Sequence, residues 1–417
     1  NMDESNFKME ILIKNAQIIN ADSIISGDIL CKDGKILKIG KGLKTQSPLV
    51  KIIDAKGKYV FPGGIDPHVH MHLPTPAGFS ADDFETGSRA ALKGGTTTII
   101  DFVTPKKGQS LQDAIKERKE EAKNSIIDCY FHVSPIEWRE SMEQEIAQCI
   151  KDGYKSFKVY MAYKDSIGLN DDVLLKVMKV VAKYGGMVTL HCEMGDEIEE
   201  ARNRLYADNK RSPKYHAISR PAKWEAQAVK RAIELAQQAD CPIYIVHVSA
   251  KESLVHIAAA QEKGQKVIAE TCPQYLLYDD SVYEKDFETA ANFVMSPPLR
   301  KREDQEALWA AIKSGVVTTI GTDHCPFTAE QKALGKDDFR KIPNGTGGVE
   351  HRLTLLYTHG VLEERITLQE YVAITSTNAA KTFGLFPQKG QIAIGSDADI
   401  RVVDPETLKT YTLSSRI

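Results

Sequence analysis

Two histidines separated by one residue, His68 and His70, stand in the stretch FPGGIDPHVHMHL at residues 61–73. In an extended strand, side chains two apart share a face. The pair therefore projects side by side from a strand end, as two ligands of one metal ion would. Asp66, two positions earlier on that face, could orient such ligands from behind. Paired histidines are also ordinary polar surface, so the spacing alone carries little weight. Its meaning depends on what the remaining elements bring to the same spot.

Those elements alternate. Apolar, β-branched runs at 96–103, 128–134, 156–163, 187–193, 242–249, 266–272 and 316–324 join the opening stretch at 60–70 to give eight candidate strands. Helical patterns such as SLQDAIKERKEEAK, DDVLLKVMKVVAKYG and KWEAQAVKRAIELAQQA lie between them. Regular alternation implies parallel strands with right-handed crossovers. Eight such units in about 320 residues predict a (β/α)8 barrel, a TIM-like fold whose chemistry sits at the C-terminal strand ends. Residues 9–60 read differently, as short alternating strands with Asp-Gly and Lys-Gly turns. The texture returns in KGQIAIGSDADIRVVD at 389–404. The expected domains are a β-sandwich part at 1–60, a catalytic barrel at 61–386 and a second sandwich part at 387–417.

On this frame the polar residues converge. Strand 1 ends in His68 and His70, strand 4 carries Lys158, and strand 5 ends at His191. Strand 6 ends at His247 and strand 8 at Asp323. A single strand-end histidine is usually a packed core residue. Four of them at successive strand ends, with a lysine and an aspartate on the same rim, make coincidence a poor account.

Composition excludes other classes. The 417 residues are 42% hydrophobic and 27% charged, and 54 basic against 57 acidic residues leave a net charge of −3. This balance argues against a nucleic-acid or membrane-surface protein. No apolar run approaches the roughly 20 residues of a membrane span, and no signal peptide is read at the start. Seven cysteines without CxxC spacing read as reduced and buried, which predicts a cytoplasmic protein.

The motifs GGIDPHVHMHLP, GSRAALKGGTTTIIDFV, SFKVYMAYK, TLHCEMG, YIVHVSA, VMSPPLR, GTDHCPF and PNGTGGVEHR run from Gly63 to Arg352. Together they resemble the cyclic amidohydrolases, most closely the dihydropyrimidinase and D-hydantoinase group. The resemblance implies two divalent ions, most often zinc, with manganese or cobalt as alternatives. It implies His68 and His70 on one ion, His191 and His247 on the other, and Asp323 at the first. Lys158 would bridge both as a carbamate formed with carbon dioxide. The competing reading of Lys158 is a salt-bridged barrel lysine. The implied reaction opens a cyclic amide of a dihydropyrimidine or a 5-substituted hydantoin to an N-carbamoyl amino acid. In it Tyr163 donates to the developing oxyanion, and Asp323 moves a proton to the departing ring nitrogen. Ser296 and Asn344 match positions whose backbone grips the substrate's imide edge. Tyr160 and Ile167 fall in a loop shaping the pocket for the ring substituent.

His72, His132 and His324 match no ligand position. Dihydroorotases and related allantoinases tend to have an arginine or other distinct residue shortly after the HxH pair; here the residue two past His70 is His72, which weighs against a dihydroorotase. An allantoinase-like or other cyclic amidohydrolase is the alternative. Non-catalytic scaffold relatives lack the ligands, and here every ligand position is filled. The resemblance further implies a homotetramer or homodimer acting on a small cyclic ureide. Family chains usually continue past the position of Ile417 with a tail that contacts neighbouring subunits.

Overall fold

In the computed structural model, which describes residues 9–409, the alternating middle of the chain forms the expected barrel. Its strands are β6 (Gly64–Asp66), β9 (Thr96–Val103), β10 (Asp128–Val133), β11 (Ser156–Tyr160), β12 (Met187–His191), β13 (Ile243–Ile245), β14 (Val267–Thr271) and β15 (Val317–Ile320). They lie in sequential order within one eight-stranded sheet, and the registers from β10 through β15 are parallel. A parallel bridge between Val69 and His324, with His70 N–H donating to His324 O at 2.8 Å, draws the first and last strand ends together. Strands buried on both faces should read as near-continuous apolar runs. Phe157, Val159, Val188, Leu190, Ile243 and Ile245 are accordingly buried.

The outer helices follow amphipathic spacing. The helix Asp171–Lys183 begins with two acids, ends with a lysine and buries Leu174, Val177, Met178 and Val181 on one stripe.

The chain ends build a separate sheet from β1 (Glu10–Ile19), β2 (Ile24–Lys32), β3 (Lys35–Gly40), β4 (Val50–Asp54), β5 (Tyr59–Pro62) and β16 (Ile400–Val403). β16 pairs antiparallel with β5, so both ends contribute to one β unit over Ile13, Ile18, Ile29, Ile36 and Val60. A two-stranded hairpin, β7 (Pro74–Thr75) with β8 (Gly78–Phe79), follows the first barrel strand. By packing, one compact unit takes in the described residues up to Asp66, Ala90–Thr98 and those from Leu353. The other takes in Pro67–Arg89 and Ile99–Arg352. Of the expected sandwich segments, residues 1–8 and 410–417 lie outside the described range.

Several strands stop earlier than their apolar runs. β13 ends at Ile245 rather than 249, and β15 at Ile320 rather than 324. Just past these ends His247 (φ 37°) and Asp323 (φ 53°) adopt left-handed backbone, which does not continue a strand. Tyr163, beyond β11, does the same at φ 59°. Such conformations cost about 1–3 kcal/mol each and cluster where a side chain must be aimed.

Candidate metal centre

His68 and His70 lie just past β6, still alternating, and their Nε2 atoms approach to 3.2 Å. Asp323 Oδ1 lies 3.0 Å from each of those nitrogens. The three donor atoms all lie within 4.8 Å of one another, the crowding expected of ligands on one small cation. The second pair meets in the same way. His247 Nε2 is 3.0 Å from His191 Nδ1, and the His247 ring stacks 5.6 Å from that of His68.

Behind each pair stands a buried carboxylate that the sequence reading did not single out. Glu270, at 0% exposure in β14, accepts from His68 Nδ1 at 2.7 Å, from His247 N–H at 3.0 Å and from the Tyr244 hydroxyl at 2.6 Å. Glu193 takes the Nε2–H of His191 at 2.7 Å. Arg220 then grips Glu193 through Nε at 3.1 Å and Nη2 at 2.9 Å. A carboxylate on one ring nitrogen fixes the tautomer and turns the other nitrogen's lone pair inward. Glu193 was findable from the sequence, since it sits two residues past His191 on the same parity as the HxH pair. Glu270 carried no such signal.

Gly321 lets the layers close. A Cβ there would lie 2.8 Å from His68 Cβ and 2.9 Å from Glu270 Oε2, so any larger residue displaces the histidine or its carboxylate.

Lys158 is central and 1% exposed. Its Nζ lies 4.6 Å above the Phe102 ring and 4.8 Å above that of Tyr160. Phe102 touches His68 and His70, and Tyr160 touches His191, so the amine lies among both histidine pairs. Among the described residues it makes no ion pair, contrary to what a salt-bridged barrel lysine would show. Burial lowers its pKa to about 8.

Protonation fits a cation. Burial holds His70, His191 and His247 below the usual imidazole value, leaving neutral nitrogens. Burial opposes charge on Asp323 too, yet His68 and His70 keep it well below the carboxylate range. His68 is the exception: against burial, Asp323 and Glu270 hold it up to about 9. Neutral imidazoles and an ionised carboxylate are the donors a divalent ion takes, and a proton on His68 is what it would displace.

Tyr163 reaches the same rim. Its ring lies 5.4 Å from that of His191, and Arg220 Nη2 donates to its hydroxyl at 3.3 Å. Ser296 and Asn344 are brought together by an Asn344 Nδ2 to Ser296 Oγ hydrogen bond of 2.8 Å. The remaining histidines have other partners. His132 contacts Ser156 Oγ and Pro67 O, His324 contacts Asp82, and His72 stacks on Phe79.

The chain matches the profile of the amidohydrolase family over residues 59–416. A D-hydantoinase of Geobacillus stearothermophilus is 44% identical over 400 residues, spanning 95% of this chain and 84% of that one. A dihydropyrimidinase of Arabidopsis thaliana is 39% identical over 408 residues, 97% of this chain and 76% of its own. The crystal structure of dihydropyrimidinase from Brevibacillus agri NCHU1002 superposes with a TM-score of 0.96. It is 41% identical and covers 98% of this chain and 89% of its own.

Proposed function

This chain belongs to the amidohydrolase family, within its dihydropyrimidinase and hydantoinase group, and from that premise we propose how its own residues open a cyclic ureide. It is a metal-dependent cyclic amidohydrolase. Its substrates are dihydropyrimidines or 5-substituted hydantoins, and its products N-carbamoyl amino acids. One observation carries the assignment: two histidine pairs, each backed by a buried carboxylate, flank a buried lysine that has no ion pair among the described residues.

His68, His70 and Asp323 would hold one divalent ion and His191 and His247 the other. Lys158, carbamylated by carbon dioxide, would bridge them. Zinc suits this nitrogen and carboxylate set. Two such ions supply Lewis acidity, lowering the pKa of water and polarising the scissile carbonyl. Tyr163 receives a hydrogen bond from Arg220 and so keeps its own proton for the oxygen that gains charge. Asp323 takes the proton released by the attacking water and delivers it to the departing ring nitrogen. Across the reaction one C–N bond breaks, one C–O bond forms, and one water is consumed. Ser296 and Asn344 hold the imide edge. We further infer a cytoplasmic homotetramer or homodimer; among the described residues no helix is long and apolar enough to cross a membrane.

Steady-state rates on dihydrouracil, 5-phenylhydantoin, allantoin and dihydroorotate with metal-loaded protein test this reading. Turnover of the first two is expected. Turnover of dihydroorotate or allantoin alone would overturn the substrate assignment.

A further inference from the structure

Lys332 is a buried lysine distinct from Lys158. It is 3% exposed on the short helix Ala329–Ala333, yet among the described residues it pairs with no carboxylate. Its Nζ donates to three backbone carbonyls: Val294 O at 3.0 Å, Pro343 O at 2.7 Å and Gly345 O at 2.9 Å. These carbonyls flank Asn344 on both sides and precede Ser296 by two residues. An ammonium with three protons and three acceptors is fully used.

The consequence follows from peptide planarity. In a trans peptide the C=O and N–H point in opposite directions. Holding Pro343 O toward Nζ therefore turns the N–H of Asn344 away from the lysine. The next peptide is held too: Gly345 N–H donates to Val294 O at 3.0 Å, the oxygen that Nζ already grips. That turns the Asn344 C=O away as well. On the neighbouring loop His216 Nε2 donates to Met295 O at 2.7 Å, which turns the Ser296 N–H away from His216 in the same manner. Among the described residues neither the N–H nor the C=O of Asn344 has a hydrogen-bond partner. The loop is anchored beside the candidate metal centre, because Gln274 Nε2 spans Thr322 O (2.8 Å) and Thr346 Oγ1 (3.1 Å), next to Asp323.

We propose that Lys332 is the positioning residue for the substrate's imide edge. By drawing three carbonyls to its own side, it leaves Asn344 presenting one donor and one acceptor side by side. A ring segment with a carbonyl next to an N–H complements that pair. This rests on the reading of Ser296 and Asn344 as the substrate's hydrogen-bonding edge. It assigns the orientation of that edge to a side chain that does not touch the substrate.

The test compares 5-phenylhydantoin with its analogue methylated on the imide nitrogen, in wild type and in Lys332→Met, which keeps the length but removes every donor. Wild type should favour the unmethylated ring by about 100-fold or more in kcat/KM, since an edge built to hydrogen-bond rejects a partner lacking the group. In Lys332→Met that preference should shrink at least about tenfold, chiefly through KM, with metal content unchanged. Lys332→Gln keeps two donors and should fall between; it carries the same comparison if the methionine variant does not fold. A preference kept in full by the variants would overturn the role of Lys332 while sparing the edge. Equal turnover of the two rings by wild type would overturn the edge and the proposal together.

Discussion

Arg220 Nη2 lies 3.3 Å from the hydroxyl oxygen of Tyr163, and the same guanidinium grips both oxygens of Glu193, the carboxylate that takes the Nε2–H of His191. One buried cation thus aims a candidate oxyanion donor and orients a candidate metal ligand. Burial opposes the charge on Glu193, but Arg220 outweighs it and keeps the carboxyl well below its usual range.

Replacing Arg220 with Met strands Glu193 as an unpaired buried charge, a loss of about 3–5 kcal/mol of stability. It also releases the Tyr163 hydroxyl, and kcat should fall about 10–100-fold. A double-mutant cycle with Tyr163→Phe separates these effects. If the arginine acts through the phenol, Arg220→Met costs less kcat when Tyr163→Phe is already present. Strictly additive losses would show that it does not.

Glu270→Gln removes the charge shared by His68, His247 and Tyr244. Orienting partners of this kind change metal affinity by about 10–100-fold. Metal titration of the stripped protein should show weaker uptake at the His68–His70 site. Gly321→Ala should do the same by crowding, since its Cβ would meet His68 at 2.8 Å and Glu270 at 2.9 Å. Native-like affinity in both variants would contradict the geometry.

Acid should destabilise the fold through two buried neutral histidines. Burial lowers His132 and His216 to about 3, against an ordinary 6.5. Between those values the unfolded chain binds more protons than the native one, so stability falls as pH drops from about 6.5 toward 3. His216→Gln retains a donor for Met295 O and removes the titration. Its unfolding midpoint in urea should be less sensitive to pH across that window than wild type's.

The parts of this molecule legible in its sequence were those with a local period. Alternating apolar runs gave the barrel, and parity along the stretch that opens it gave His68 and His70 as a pair. His191, His247 and Asp323 were readable as strand ends, although His247 and Asp323 lie past the true ends in left-handed turns that no apolar pattern reports. Glu193 obeys the same parity as the HxH pair. Glu270, Arg220 and Lys332 could not be read in this way. Each acts on a partner far away in the chain, on another strand or loop, through contacts that exist only once the barrel closes. Ser296 and Asn344, 48 residues apart, were matched as motif positions, but the hydrogen bond between them belongs to the fold alone.

Native mass spectrometry with metal analysis decides whether Lys158 joins two cation sites as a carbamate. Protein reconstituted with zinc and bicarbonate should carry two metal equivalents per chain and the mass increment of one carbon dioxide. Lys158→Ala should lose the increment and activity together, with short carboxylic acids restoring part of the activity. Active wild-type protein without that increment, or a fully active Lys158→Ala variant, would rule out the carbamate bridge.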